Sequence, residues 1–230
     1  MQVMGKKPIG TVAYMGGVMA VPEAFCWSFA QMVQYNTEYL CNPGEIVHYE
    51  RATVSYHSYA RNNICERVRG DWVLMLDCDH TFDPDILARM VNQMNTHNID
   101  VLTAMYQYKK HPHNPVLYSW DKEDKNLELI GKWDESARLF EIGSAGGGTL
   151  LIKKSVINRI KRELGENPFD IIHPYSEDNS FFKRLKTLGI KAYCDPNIIS
   201  NHLLVKELSM EDYDTSELTF SEKTNVEGRI

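Results

Sequence analysis

Two carboxylates one residue apart close an apolar run, Trp72-Val73-Leu74-Met75-Leu76-Asp77-Cys78-Asp79-His80. A run of that kind reads as a strand buried on both faces, as in the middle of a parallel sheet. The C-terminal ends of such strands open onto the crevice where α/β sheets bind ligands. Charge is costly to bury there unless it is paired or bound to a metal. Hard oxygen donors suit Mg²⁺ or Mn²⁺, and either ion can in turn hold a diphosphate. The competing reading is a pair of strand-end aspartates that cap the next turn. A second acidic pair, Glu177-Asp178, follows Ser176 at the start of an apolar-faced segment. Ser176 is a natural N-cap and first-turn acids favour the helix dipole, so capping alone would account for this pair. Four glycines fall within residues 143–148 (Gly143, Gly146, Gly147, Gly148). They imply backbone that bends sharply or lies against a ligand, or else a flexible loop.

Residues this far apart need a scaffold, and the apolar pattern supplies one. Ile9 to Tyr14 reads as a first strand leading into Met15-Gly16-Gly17, without a G-x-G-x-x-G dinucleotide fingerprint. A helix opens at Pro22, with Phe25, Phe29, Met32 and Val33 on one face. Ile46 to Tyr49 is a second strand, and a second helix spans about Tyr56 to Val68. Past the Asp-x-Asp strand, Asp83-Pro84 supplies an N-cap and a first-turn proline for a helix carrying Ile86, Leu87, Met90, Val91 and Met94. Val101 to Tyr106 is the next strand. This alternation predicts an α/β fold, a doubly wound and mostly parallel sheet flanked by helices.

From Gln107 to Ser144 the pattern loosens into a loop at Lys109–Pro115 and a small antiparallel addition, Val116–Trp120 with Leu127–Ile130. Arg138 to Ile142 is a further candidate strand. Thr149 to Ile152 is an apolar strand followed by a helix to about Leu164. The Glu177-Asp178 helix shows Phe181, Phe182, Leu185 and Leu188 on one face. A short strand, Ile190 to Cys194, then turns at Asp195-Pro196 toward His202, and a lone histidine of this kind is more often a surface or core residue than a ligand. The reading is one domain over 1–206, with a polar, acidic tail over 207–230 that is weakly ordered or binds a partner.

The formal net charge of −6 argues against a general nucleic-acid footprint. No window approaches the roughly 20 apolar residues of a membrane span, and the N-terminus lacks an apolar leader core. Five cysteines without a C-x-x-C pair support neither a disulfide framework nor a zinc site, which fits reduced thiols in a cytoplasm.

Ser58-Tyr59-Ala60-Arg61-Asn62-Asn63, then Gly70-Asp71-Trp72 and Leu76-Asp77-Cys78-Asp79, resemble the family 2 glycosyltransferases and the wider GT-A fold. Gly146 to Ile152 looks like that family's glycine-led strand, and Ser176 to Phe182 like its Glu-Asp helix. Gly189 to Pro196, then His202, look like its closing strand and C-terminal metal histidine. Ordered blocks from 58 to 202 carry the likeness, which is to the compact enzymes found in phages and bacteria. It implies a nucleotide-diphosphate sugar donor (UDP- or GDP-), an acceptor the sequence does not name, and Mn²⁺ or Mg²⁺. Asp79 would be the direct metal ligand, His202 would complete the metal site, and Asp77 would contact the metal or the donor sugar. Tyr14 and Arg61 would lie on the donor side, with Gly146, Gly147 and Gly148 lining the sugar pocket where only bare backbone leaves room. Asp178 would be the general base of an inverting displacement, and Glu177 would help hold the acceptor. The nucleotide-binding half would be about 1–106 and the acceptor half about 107–206, with Trp120, Trp133 and Tyr108 available to stack on an acceptor sugar.

Two rivals share these residues. Asp77-Cys78-Asp79-His80-Thr81 also fits the D-x-D-x-T motif of haloacid-dehalogenase-like phosphohydrolases, in which Asp77 would be a phosphorylated nucleophile. A non-catalytic module that binds a nucleotide sugar is the other.

Overall fold

The computed structural model describes residues 6–16, 20–52, 56–123, 126–134 and 138–204. The acidic tail expected from 207 onward, and Gly17, lie outside them. The chain opens with β1 (Lys7–Met15) and α1 (Glu23–Tyr35), which runs on into a π-helical turn at Asn36–Leu40. β2 (Glu45–Ala52), α2 (His57–Arg67) and β3 (Trp72–Asp77) follow, then a three-residue β4 (His80–Phe82), α3 (Ile86–Thr96) and β5 (Val101–Met105). The looser middle holds β6 (Leu117–Trp120), β7 (Leu127–Leu129), β8 (Phe140–Ile142) and β9 (Ser144–Ala145). The chain then builds β10 (Thr149–Lys153), α4 (Lys154–Leu164), α5 (Glu177–Thr187) and a long β11 (Ala192–His202).

The large sheet has the order β2-β1-β3-β10-β5-β11-β4, with β8 also paired to β11. β1, β2, β3, β5 and β11 share one direction, while β10, β4 and β8 oppose it. The expected alternating, mostly parallel sheet is therefore present, with helices on both faces. Side chains alternate across β3: Val73 and Met75 belong to the core cluster that holds Ile64, Ile157 and Phe181, Leu74 and Leu76 to the one that holds Phe25, Leu87 and Met90. Both faces being covered is why β3 is apolar without interruption. Each such side chain contributes about 1.5–3 kcal/mol by leaving water. A separate three-stranded sheet, β7-β6-β9, is the small antiparallel addition.

Two local expectations change. α3 does not start at an Asp83 cap: β4 pairs with β11 through Phe82, and that pairing holds the chain extended for longer. Asp83 instead gives its carbonyl to the Ile86 N–H at 3.1 Å, and the helix opens without a side-chain cap. Nor does Asp195-Pro196 turn the chain. β11 runs straight through it with a register irregularity between Asp195 and Ile199. Proline cannot donate to the ladder, so the strand bulges there. The buried Asp195 carboxylate accepts instead from Asn197 N at 2.9 Å and Gln93 Nε2 at 2.7 Å. Among the described residues no helix is long and apolar enough to cross a membrane.

Candidate active site

β3 delivers Asp77 to the end of the sheet, the turn presents Asp79, and the chain re-enters as β4 with His80. β4 pairs antiparallel with the far end of β11, which sets His80 directly across from His202. The bulged β11 thus carries His202 out of the core to the aspartates. One oxygen of Asp79 and one nitrogen from each of His80 and His202 all lie within 4.8 Å of one another. His202 Nε2 is 3.4 Å from Asp79 Oδ2, and the two imidazoles stack with centroids 4.5 Å apart.

The outer nitrogen of each histidine is held, which leaves the inner one presented. His202 Nδ1 donates to the Gln107 carbonyl at 2.9 Å. His80 Nδ1 lies 2.8 Å from Ser200 Oγ, which in turn accepts from Thr149 Oγ1 at 2.8 Å. His80 Nε2 is buried with no hydrogen-bond partner among the described residues. An orphaned buried nitrogen needs an explanation, and a cation at this point would supply one. Burial foremost, with His202 beside it, pushes the His80 imidazole down to about 4, so it is neutral and ready to donate its lone pair. Burial raises the Asp79 carboxyl, but Lys109, His80 and His202 together hold it below its ordinary value. Two imidazoles and a carboxylate fit a divalent transition ion better than Mg²⁺.

The second half of the site is built on Arg61, 2% exposed on α2. Nη1 donates to the Gly147 carbonyl at 2.8 Å and Nη2 to Asp77 Oδ1 at 3.3 Å. Its Nε is 3.4 Å from Asp178 Oδ1 and 3.6 Å from Glu177 Oε1, and its guanidinium carbon lies 5.8 Å from the Phe169 ring centroid. Burial opposes this charge, and the three carboxylates more than restore it. Ser176 caps α5 as expected, its Oγ accepting from Asn179 N, so the helix start that aims Glu177 and Asp178 is fixed. Burial, with Asp77 adding to it, raises the Asp178 carboxyl above its ordinary value, while Arg61 and the Gly147 amide oppose the shift.

β10 runs antiparallel beside β3, so its glycine-rich entry meets the end of β3, and Asp77 N donates to the Gly148 carbonyl at 2.9 Å. On the side where a Cβ would point, these glycines meet protein, while Gly146 and Gly147 also line the cleft described below. A Cβ on Gly147 would fall 1.5 Å from Arg61 Nη1, one on Gly146 2.1 Å from the Tyr106 hydroxyl, and one on Gly148 2.6 Å from His80 Nε2. We therefore expect Gly147→Ala to drive Arg61 off its acids and cost about 3–5 kcal/mol, the scale of breaking a buried ion pair. Gly131→Ala, where a Cβ meets nothing within 4 Å, is the control. Equal urea midpoints for the two variants would refute this.

Both halves face one cleft of about 400 Å³, lined by Asp77, His80, Tyr106, Tyr108, Gly146, Gly147, Asp178 and His202 among others. Some predicted site residues take other places. Asp77 is bound to Arg61 and stands outside the metal-type cluster, while Arg61 lies beneath the acids and does not face open space. Tyr14 packs against Phe25 and Phe29, with centroids 5.4 Å apart in each case. Trp120 lines a different groove, with Lys183 and Lys186 over its ring at 4.9 and 4.4 Å. Trp133 stacks on Phe140. Sequence reasoning missed His80, Ser200, Tyr106 and Lys109. Only His80 left a local trace, by following Asp79 directly.

The sequence profile of glycosyl transferase family 2 matches residues 31–161. No curated protein sequence matches the chain significantly. Among solved structures, A197 from STIV is similar with a TM-score of 0.55 at 17% identity, over 85% of this chain and 86% of that one. GalNAc-T7, solved with UDP, GalNAc and Mn²⁺, is similar with a TM-score of 0.60 at 10% identity, over 94% of this chain and 47% of its own. At these identities the likeness speaks to the fold.

Proposed function

The chain belongs to glycosyl transferase family 2 and has the GT-A fold, and on that premise we propose that it moves a sugar from a nucleoside-diphosphate sugar to an acceptor hydroxyl with inversion. One observation carries this reading: a cluster fit for a cation and a carboxylate fit for a base face each other across a single cleft. That the fold neighbour GalNAc-T7 was solved with UDP, GalNAc and Mn²⁺ supports the donor class and the choice of Mn²⁺.

Asp178 takes the proton of the acceptor hydroxyl as that oxygen attacks the anomeric carbon and the bond to the diphosphate breaks. Its raised pKa suits the task, because a base nearer neutrality binds the proton more firmly. Arg61 holds Asp77 and Asp178 close together, and Glu177 orients the acceptor. Asp79, His80 and His202 would hold a divalent ion, which when bound would supply positive charge against the departing diphosphate. On this reading residues 1–106 bind mainly the donor and 107–206 the acceptor. The five free cysteines support a reducing, cytoplasmic setting.

The test is to incubate the protein with UDP- and GDP-sugars and Mn²⁺ and to follow what is released. A transferase releases the nucleoside diphosphate, a phosphohydrolase using Asp77 releases phosphate, and a binding module releases neither. The ligand set carries its own prediction. Ser200→Ala removes the group at His80 Nδ1, and losses of this kind lower metal affinity about 10–100-fold. Mn²⁺ titration of the folded variant checks it, and an unchanged affinity would remove His80 from the ligand set.

A further inference from the structure

Lys109 stands where the cation cluster is open to solvent. Its Nζ donates to Asp79 Oδ2 at 2.5 Å, the same oxygen that faces His202 Nε2. An ammonium on that oxygen and a divalent ion on that oxygen exclude each other, since both need the same lone pairs and both are positive. The segment bearing Lys109 has its backbone fixed. Gln107 bridges to Pro115, Tyr108 N donates to the Asn114 carbonyl at 2.9 Å, and His202 Nδ1 clips the Gln107 carbonyl. The lysine stem is different: at 40% exposure it can rotate about its own bonds without moving that backbone.

We propose that Lys109 is a diphosphate-binding residue kept on Asp79 until an ion displaces it. The inference rests on the transferase reading above. With no ion bound, the ammonium compensates Asp79, which beside the cleft has none of the Arg61 contacts that Asp77 and Asp178 make. Once an ion sits on Asp79, the ammonium is released into a cleft that then holds a ligand carrying several negative oxygens. It donates to those oxygens as a point charge, as lysines do with phosphates. The side chain thus trades one anion for another with no bond made or broken, and the ion and the diphosphate each make room for the other.

This predicts effects of opposite sign in one variant, which a merely structural lysine would not give. In Lys109→Met, Mn²⁺ alone should bind about tenfold more tightly, because its competitor is gone. UDP or GDP titrated at saturating Mn²⁺ should bind about tenfold more weakly, the scale of one charge-assisted hydrogen bond. Lys109→Arg keeps the charge and should restore most of the nucleotide affinity. Mn²⁺ affinity that is unchanged or lower in Lys109→Met overturns the proposal, as does unchanged nucleotide affinity. If wild type and Lys109→Met both fail to bind Mn²⁺, the metal reading itself falls and takes this one with it. If both bind Mn²⁺ equally, only the role of Lys109 falls.

Discussion

Asp178→Asn is expected to bind donor as the wild type does and to transfer sugar about 10²–10⁴-fold more slowly. The amide matches the carboxylate in shape, so the α5 start and its Ser176 cap remain, but it cannot take the acceptor's proton. The two readings of this residue differ in what they put at risk. As a first-turn acid it contributes only about 0.3–1 kcal/mol through the helix dipole. Even that is opposed, because its folded pKa is raised. A carboxyl with a raised folded pKa loses stability as pH climbs from its unfolded value through its folded one, so its ionised form carries a penalty in the fold. The asparagine variant should therefore melt close to the wild type.

The same sign gives a pH profile. Transfer needs the ionised base, so kcat should fall as pH drops through a limb displaced upward from the ordinary carboxylate range. Burial foremost, with the nearby Asp77 charge, is what displaces it. Asp178→Asn should abolish it. Full transfer by the variant, with the limb intact, would return Asp178 to helix capping.

Asp79→Ala should end Mn²⁺-dependent nucleotide binding and reduce transfer on the order of 10³-fold, as expected from losing several kcal/mol of charge stabilisation. The fold should survive. Asp79 lies in the turn between β3 and β4, and it is its backbone carbonyl, untouched by the substitution, that accepts from Leu203 N at 2.7 Å. Calorimetric titration with UDP and Mn²⁺ measures the first effect and product release the second. Near-normal turnover of the folded variant in limiting Mn²⁺ would refute the assignment.

The parts of this site that were legible in the sequence are those written in short-range order. β3 announces itself by an unbroken apolar run, and Ser176 by its place before two acids and an apolar-faced helix. The pairing of β4 with β11 has no such signature, because it joins His80 to residues about 120 positions later. His80 therefore passed as the residue after a motif, although Ser200 and His202 make it part of the cluster. Arg61 and the glycines were singled out separately, and nothing in short-range order says that they pack on each other. Spacing marks Gly147 as special, but only the antiparallel insertion of β10 beside β3 shows that Arg61 fills the space above it. Trp120, expected on the acceptor side, sits under Lys183 and Lys186, and Tyr14, expected on the donor side, packs against Phe25 and Phe29, contacts set by tertiary packing that no local pattern announces.

The crowding of Asp77, Glu177 and Asp178 around Arg61 has a consequence for how variants combine. One guanidinium cannot fully satisfy three acids, so each holds part of a common resource. Neutralising one acid leaves more of the positive charge to the remaining two. Substitutions at these positions should therefore show strong epistasis, with combined effects that depart from the sum of the single ones. On the roles proposed above, a sequence drifting at Glu177 would alter the basicity of Asp178 without touching it, which would couple the evolution of acceptor recognition to that of the proton-transfer step.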